Sequence, residues 1–208
     1  MTGGARGDAG AFLVRVVRLD PGALVRLRPA GAGLAVLWAR LPFDVLVTRL
    51  VAADRAGDAT VGAAALLDAL EKGHDALPPR QDTAWRGALP PGDGVPLDEI
   101  PAEALRTVAQ AARETVRAAA ARGVGERAVR DTLLDHVALT VEGAGARAEV
   151  PVRLVQGVAR MGFLGVDPVA VRRAGAWVGL AATYGTAWYR PGGPILRPGA
   201  GPGPGAAR

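Results

Sequence analysis

Between Leu24 and Ala52 the chain delivers apolar residues in short runs cut by turn residues, and that punctuation leaves little choice of backbone. Leu24-Val25-Arg26-Leu27-Arg28 alternates with a period of two. Pro29-Ala30-Gly31-Ala32-Gly33 breaks it, Leu34–Leu41 follows with Trp38 inside, Pro42-Phe43-Asp44 breaks again, and Val45–Ala52 completes the set. Each run is too short for a stable helix, and β-branched residues recur, so the pattern predicts a three-stranded antiparallel meander.

The rest of the chain mixes both periods. Phe12, Leu13, Val16, Val17 and Leu19 fit a short amphipathic helix that Asp20-Pro21-Gly22 ends. Residues 60–72 read as a helix closed by Gly73, and 101–122 as the clearest helix, with Pro101 opening it and Leu105, Val108, Ala112 and Val116 on one stripe. Helix resumes over 126–135. Val137–Val141 and Arg147–Val150 form a hairpin, and 152–161 a further helix. The expected fold is α+β: an N-terminal meander and C-terminal hairpins of antiparallel strands, packed with four to five helices. Residues 9–190 are expected to form one domain carrying a long Pro/Gly-rich loop at 73–99. Either that loop is a mobile arm or Trp85 pins it to the body, the area a Trp buries favouring the second. Residues 1–8 and the Pro/Gly-rich tail 191–208 are expected to be disordered.

Composition removes much chemistry. The 208 residues include no Cys, Ser or Asn, one Lys (Lys72) and two Ile, which is the codon signature of a GC-rich, bacterial genome. With neither Cys nor Ser there is no thiolate or serine nucleophile, no disulfide and no thiolate metal site. Two histidines, His74 and His136, each with one neighbouring Asp in sequence, do not make a metal-site spacing. No metal and no cofactor is expected. Gly123-Val-Gly125-Glu-Arg-Ala128 imitates a dinucleotide loop but follows a helix rather than a strand. The uncharged run 174–189 is 16 residues long, short of the ~20 needed to span a bilayer, so a cytoplasmic protein without a membrane span is expected.

Net charge is +5, with basic ends (+4 over 1–50, +6 over 151–208) around an acidic middle (−5 over 51–150). Four of the nine aromatics fall in residues 171–193, among Arg172, Arg173 and Arg190. Two readings of that stretch stand. In one it is sheet core: Val178, Leu180 and Ala182 line one face of a strand, Trp177, Gly179 and Ala181 the other, and Ala187–Arg190 is a last short strand. In the other, Arg172, Arg173, Trp177, Trp188, Tyr189 and Arg190 make a binding surface, since Trp188 and Tyr189 cannot both point inward on a strand.

The function these features favour is a non-enzymatic binding or protein-interaction module, with a second copy of the chain or another protein as partner. Two alternatives remain: sequence-tolerant nucleic-acid binding through the basic aromatic C-terminal region, and an enzyme using carboxylates with His136 as general base. A helix-turn-helix over 101–135 with a hairpin wing is disfavoured, because its second helix carries Glu126, Asp131 and Asp135 and would repel phosphates.

Overall fold

A computed structural model describes residues 3–53, 57–74, 76–122 and 126–192. The expected disorder of 193–208 lies outside the described residues, as do Met1 and Thr2. Five α-helices and ten antiparallel strands are present among the described residues, which is the expected α+β class.

In chain order the elements are α1 (Gly3–Leu19), β1 (Leu24–Gly31), β2 (Leu34–Arg40), β3 (Leu46–Ala52), β4 (Ala59–Gly62), α2 (Ala63–Glu71), β5 (Val95–Ile100), α3 (Ala102–Ala121), α4 (Glu126–Asp135), β6 (Val137–Gly143), β7 (Ala146–Pro151), α5 (Val152–Arg160), β8 (Val169–Ala174), β9 (Trp177–Ala182) and β10 (Gly185–Tyr189). The helix α1 starts at Gly3, so the backbone of 3–8 is helical rather than a loose end.

Eight strands form one sheet in the order β4-β1-β2-β3-β10-β9-β8-β5, and β6-β7 form a separate hairpin. The sheet is built from two meanders, β1-β2-β3 and β8-β9-β10, each with its last strand at the centre. These last strands meet antiparallel in a short seam of three pairs: Leu46–Trp188, Val47–Ala187 and Thr48–Thr186. By contrast β2 and β3 pair over seven residues.

Period-two alternation gives the sheet two apolar faces, and each has its own core. On the helix side, Val25, Leu27, Leu37, Ala39, Val47, Val171, Val178, Leu180 and Ala187 bury against Phe12, Leu13 and Val16 of α1, Leu105 and Ala109 of α3, and Leu154, Val155 and Val158 of α5. Phe12 stacks on Phe163 with ring centroids 6.4 Å apart. On the outer side a smaller cluster holds Leu46, Ala174, Trp177 and Trp188, with Trp38, Trp85 and Leu89 packed on it. The segment expected to be a long loop therefore folds over the outer face. Trp85 and Leu89 fasten it there, because a ring of that size removes ~150–250 Å² from water.

Two details of that segment differ from expectation. Val95–Ile100 is an edge strand on β8, not loop. Pro96 hid it, yet Pro is tolerated at an edge, where no ladder donor is needed. Second, residues 80–82 seal the opposite edge. The Gln81 amide donates to the Thr60 carbonyl (2.7 Å), and the Thr60 amide donates to Asp82 Oδ1 (2.7 Å), so β4 offers no open ladder there. The helix expected from residue 60 starts at Ala63, because Ala59–Gly62 is spent on pairing with β1.

Candidate functional site

Where the two meanders meet, the outer face is left partly uncovered. The result is a groove of about 670 Å³ across the seam. Its floor follows from strand parity: Trp38 on β2, Thr48 and Leu50 on β3, and Thr186 and Trp188 on β10 all point to the outer side. Leu50 is 54% exposed and Tyr184 49%, so both offer apolar surface to the groove. Trp188 is only 4% exposed and lies flat over Gly179, its cross-strand partner. A Cβ at position 179 would stand 2.6 Å from the indole Cε3 and Cζ3, so the ring needs glycine there.

The rim is polar. Arg172 reaches from β8 and donates from Nη1 to the Asp93 carbonyl (2.8 Å), while its buried Nε has no acceptor. At the far end, Arg49 donates to the Tyr184 carbonyl (3.0 Å), pairs with Asp8 and covers the Tyr184 ring at 5.9 Å, fixing the β9–β10 turn.

The six residues expected to make one basic aromatic surface are divided by the sheet. Only Arg172 and Trp188 reach the seam groove. Trp177, Tyr189 and Arg190 line a separate hollow of about 370 Å³ with Arg40 and Arg153. There Arg153 lies 4.9 Å over the Tyr189 ring, donates to the Phe43 carbonyl (2.9 Å) and pairs with Asp135. Arg173 is held by the carbonyls of Gly175 and Arg147 (3.2 and 3.0 Å) and enters neither. Trp188 and Tyr189 do point to opposite faces, but neither is freely exposed, because the outer face has a core of its own.

His136 is exposed on a shallow surface with Val129, Thr132 and Leu133, and among the described residues no carboxylate lines it. His74 closes α2 through its backbone amide, bonded to the Ala69 carbonyl. Among the described residues no group of three or more His, Asp or Glu is placed to hold a metal ion. No helix among them is long and apolar enough to cross a membrane.

Residues 89–194, just over half of the chain, match a family described as a domain of unknown function, DUF8185. The chain belongs to the DUF8185 family. Residues 2–87 match a second domain of unknown function, DUF8010. The groove therefore straddles the two segments: Trp38, Thr48 and Leu50 come from the first, and Arg172, Thr186 and Trp188 from the DUF8185 segment. No curated protein matches the chain in sequence.

The fold resembles that of bacterial sliding clamps. The DNA polymerase III subunit beta from Pseudomonas aeruginosa superposes with a TM-score of 0.56 at 13% identity, over 89% of this chain and 62% of that one. The clamp from Bartonella birtlesii bound to griselimycin gives 0.55 at 15%, over 88% and 62%. The Helicobacter pylori beta clamp bound to a DNA ligase peptide gives 0.54 at 13%, over 89% and 63%. The DUF8185 protein thus spans less than two thirds of the length of those clamps, and at such identities the likeness is one of fold.

Several groove residues, among them Trp38, Thr48, Arg49, Leu50, Tyr184 and Thr186, are not among the candidates read from the sequence. The signal for three of them lies in parity: Leu46, Thr48 and Leu50 share a strand face opposite Val47 and Val51, and Trp38 shares a face with neither Leu37 nor Ala39.

Proposed function

We propose that the protein is a non-enzymatic interaction module that docks an extended segment of a protein partner in the seam groove. The observation that carries this reading is the groove itself: Trp38, Leu50 and Trp188 share its floor with Thr48 and Thr186, under a polar rim that includes the Arg172 and Arg49 guanidinium groups. Such a combination, an aromatic anchor site with few placed polar groups, is how peptide segments are held. The fold adds support, since a sliding clamp of similar fold has been solved with a DNA ligase peptide. The chemistry favours a segment that sets a large apolar side chain beside a carboxylate, the first for the floor and the second for Arg172.

The test is selection from a random peptide display library against the protein, with the Leu50→Asp variant as counter-target. Leu50 is largely exposed, so the variant should keep the wild-type melting temperature. Peptides that pair an apolar with an acidic residue should be enriched on the wild type and lost on the variant. Equal enrichment on both proteins, or none on either, would reject the groove as the docking site. A selected sequence matching a segment of this chain would instead make the partner a second copy.

A further inference from the structure

A second cleft, on the helix side, has a different chemistry. It lies between α3, α4 and α5 and encloses about 320 Å³. Its walls are apolar where the helices converge: Val116 from α3, Leu133 and Leu134 from α4, Val152 from α5. Its mouth is ringed by four arginines, Arg113 and Arg117 one turn apart on α3, Arg130 on α4 and Arg160 in the last turn of α5. Among the described residues no acidic side chain lines it.

Arg130 has an interaction of its own, so the charge at issue is that of Arg113, Arg117 and Arg160. Among the described residues neither Arg113 nor Arg117 meets a carboxylate; the acids of α3 turn elsewhere, Glu103 to Arg106 and Glu114 to Gln110. Arg160 is positioned by Gln156, itself 4% exposed, whose Oε1 accepts from Arg160 Nε at 3.4 Å while its Nε2 donates to the Ala109 carbonyl at 2.9 Å. Burial first, then repulsion from Arg130 and Arg113, work against the charge on Arg160, yet a guanidinium stays protonated at any physiological pH. Like charges gathered over a low-dielectric slot raise the local potential for an anion.

We propose that this cleft binds a small amphiphilic anion, with its carboxylate or phosphate head among Arg113, Arg117, Arg130 and Arg160 and its apolar body on Val116, Leu134 and Val152. The size suits a ligand of modest length, since small-molecule sites begin near ~300 Å³. Arginine forks suit both head groups, as each offers paired oxygens in a plane or tripod.

Titration calorimetry at low and high salt tests it with defined probes: decanoate, decyl phosphate, inorganic phosphate, decanol and a short DNA duplex. The expected result is one-to-one binding of decanoate, decyl phosphate or both, at least tenfold tighter than inorganic phosphate or decanol. The relative affinity of the two tailed anions identifies the head group. The Arg113→Glu/Arg117→Glu protein should lose tenfold or more in that affinity with an unchanged melting temperature, both side chains being exposed. A second variant, Ala120→Trp, fills the slot from an exposed wall position and should lose the tailed anions while keeping its weak hold on phosphate. Tailed anions that bind no better than phosphate would overturn the proposal, as would binding that survives the double charge reversal. Tight duplex binding that the tailed anions do not displace would overturn it in favour of a nucleic-acid surface.

Discussion

Gly179→Ala is expected to destabilise the protein, although alanine in place of glycine in a strand ordinarily does the reverse. The added Cβ would lie 2.6 Å from Cε3 and Cζ3 of Trp188 and 3.0 Å from Cδ2. Carbon atoms rest at about 3.5–4.0 Å, so the indole must retreat by roughly 1 Å. It has little room. Leu46, Ala174 and Trp177 pack around it, and even the missing Cβ of Gly94 would be only 3.2 Å from its Cη2. Overpacking of this kind costs about 1–3 kcal/mol, offset by about 0.5–1 kcal/mol from the less flexible unfolded chain. The net loss of about 0–2.5 kcal/mol corresponds to a fall in Tm of up to roughly 10 °C for a chain of this length. Gly10→Ala supplies the contrast. That glycine sits within α1 with nothing within 4 Å of its would-be Cβ, so alanine should add about 0.5–1 kcal/mol. Thermal melts by circular dichroism read both, and tryptophan emission should shift only in Gly179→Ala. If Gly179→Ala raised the Tm as Gly10→Ala does, Trp188 would not be packed on Gly179 and the floor of the groove would be wrongly described.

Two further outcomes follow from the outer face. Trp85→Ala should free the 73–94 segment and cost about 1–3 kcal/mol, less than a fully buried Trp, because the ring is half-exposed and its buried Nε1 has no acceptor. Limited proteolysis should then cut at Arg80 or Arg86 well below the global melting temperature, and resistance equal to wild type would show that Trp85 is not the anchor. Acid sensitivity should arise at the β4 edge. Bidentate bonding from Arg26 (2.8 Å to each oxygen) holds the Asp58 carboxyl below its ordinary range, and Arg80 with the Thr60 amide does the same for Asp82. A carboxylate whose folded value is lowered stabilises the fold above its unfolded value near ~3.9, and that contribution is lost as pH falls through the lowered value. Urea midpoints should therefore hold steady from neutral pH to about pH 5 and decline below about pH 4, with a shallower decline in Asp58→Asn. An identical slope in that variant would contradict the assignment.

Local pattern reached the elements but not their long-range partners. Alternation and turn residues locate both meanders to within three residues, the largest error being at β1, which runs on through Pro29 to Gly31, because each strand has a covered face with its own period. Pro96, Asp98 and Glu99 conceal β5, since an edge strand needs neither a full set of donors nor an apolar alternation. The seam between β3 and β10 joins residues about 140 positions apart, and nothing local in Leu46-Val-Thr or Thr186-Ala-Trp specifies that pairing. The candidate residues are split between two hollows for a related reason. Parity put Trp188 and Tyr189 on opposite faces correctly, but accessibility depends on what covers each face, and the cover is a Pro/Gly-rich loop with no periodicity to read. Parity also separates Arg172 from Arg173, which is why a basic run in sequence is not a basic patch in space. The arginine cleft was legible only in part: Arg113, Arg117, Arg130 and Arg160 sit beside apolar stripes on three helices, and their convergence needs the packing of α3, α4 and α5.

The most direct measurement of the docking claim is site-specific photo-crosslinking in the cells that make the protein, with a benzophenone amino acid at Leu50 in the groove and, separately, at Val137, which is 39% exposed on the distant hairpin. A discrete heavier adduct is expected from position 50, absent from position 137 and abolished when Trp38→Ala is added. Adducts that are the same from both positions, or none from position 50, would contradict it.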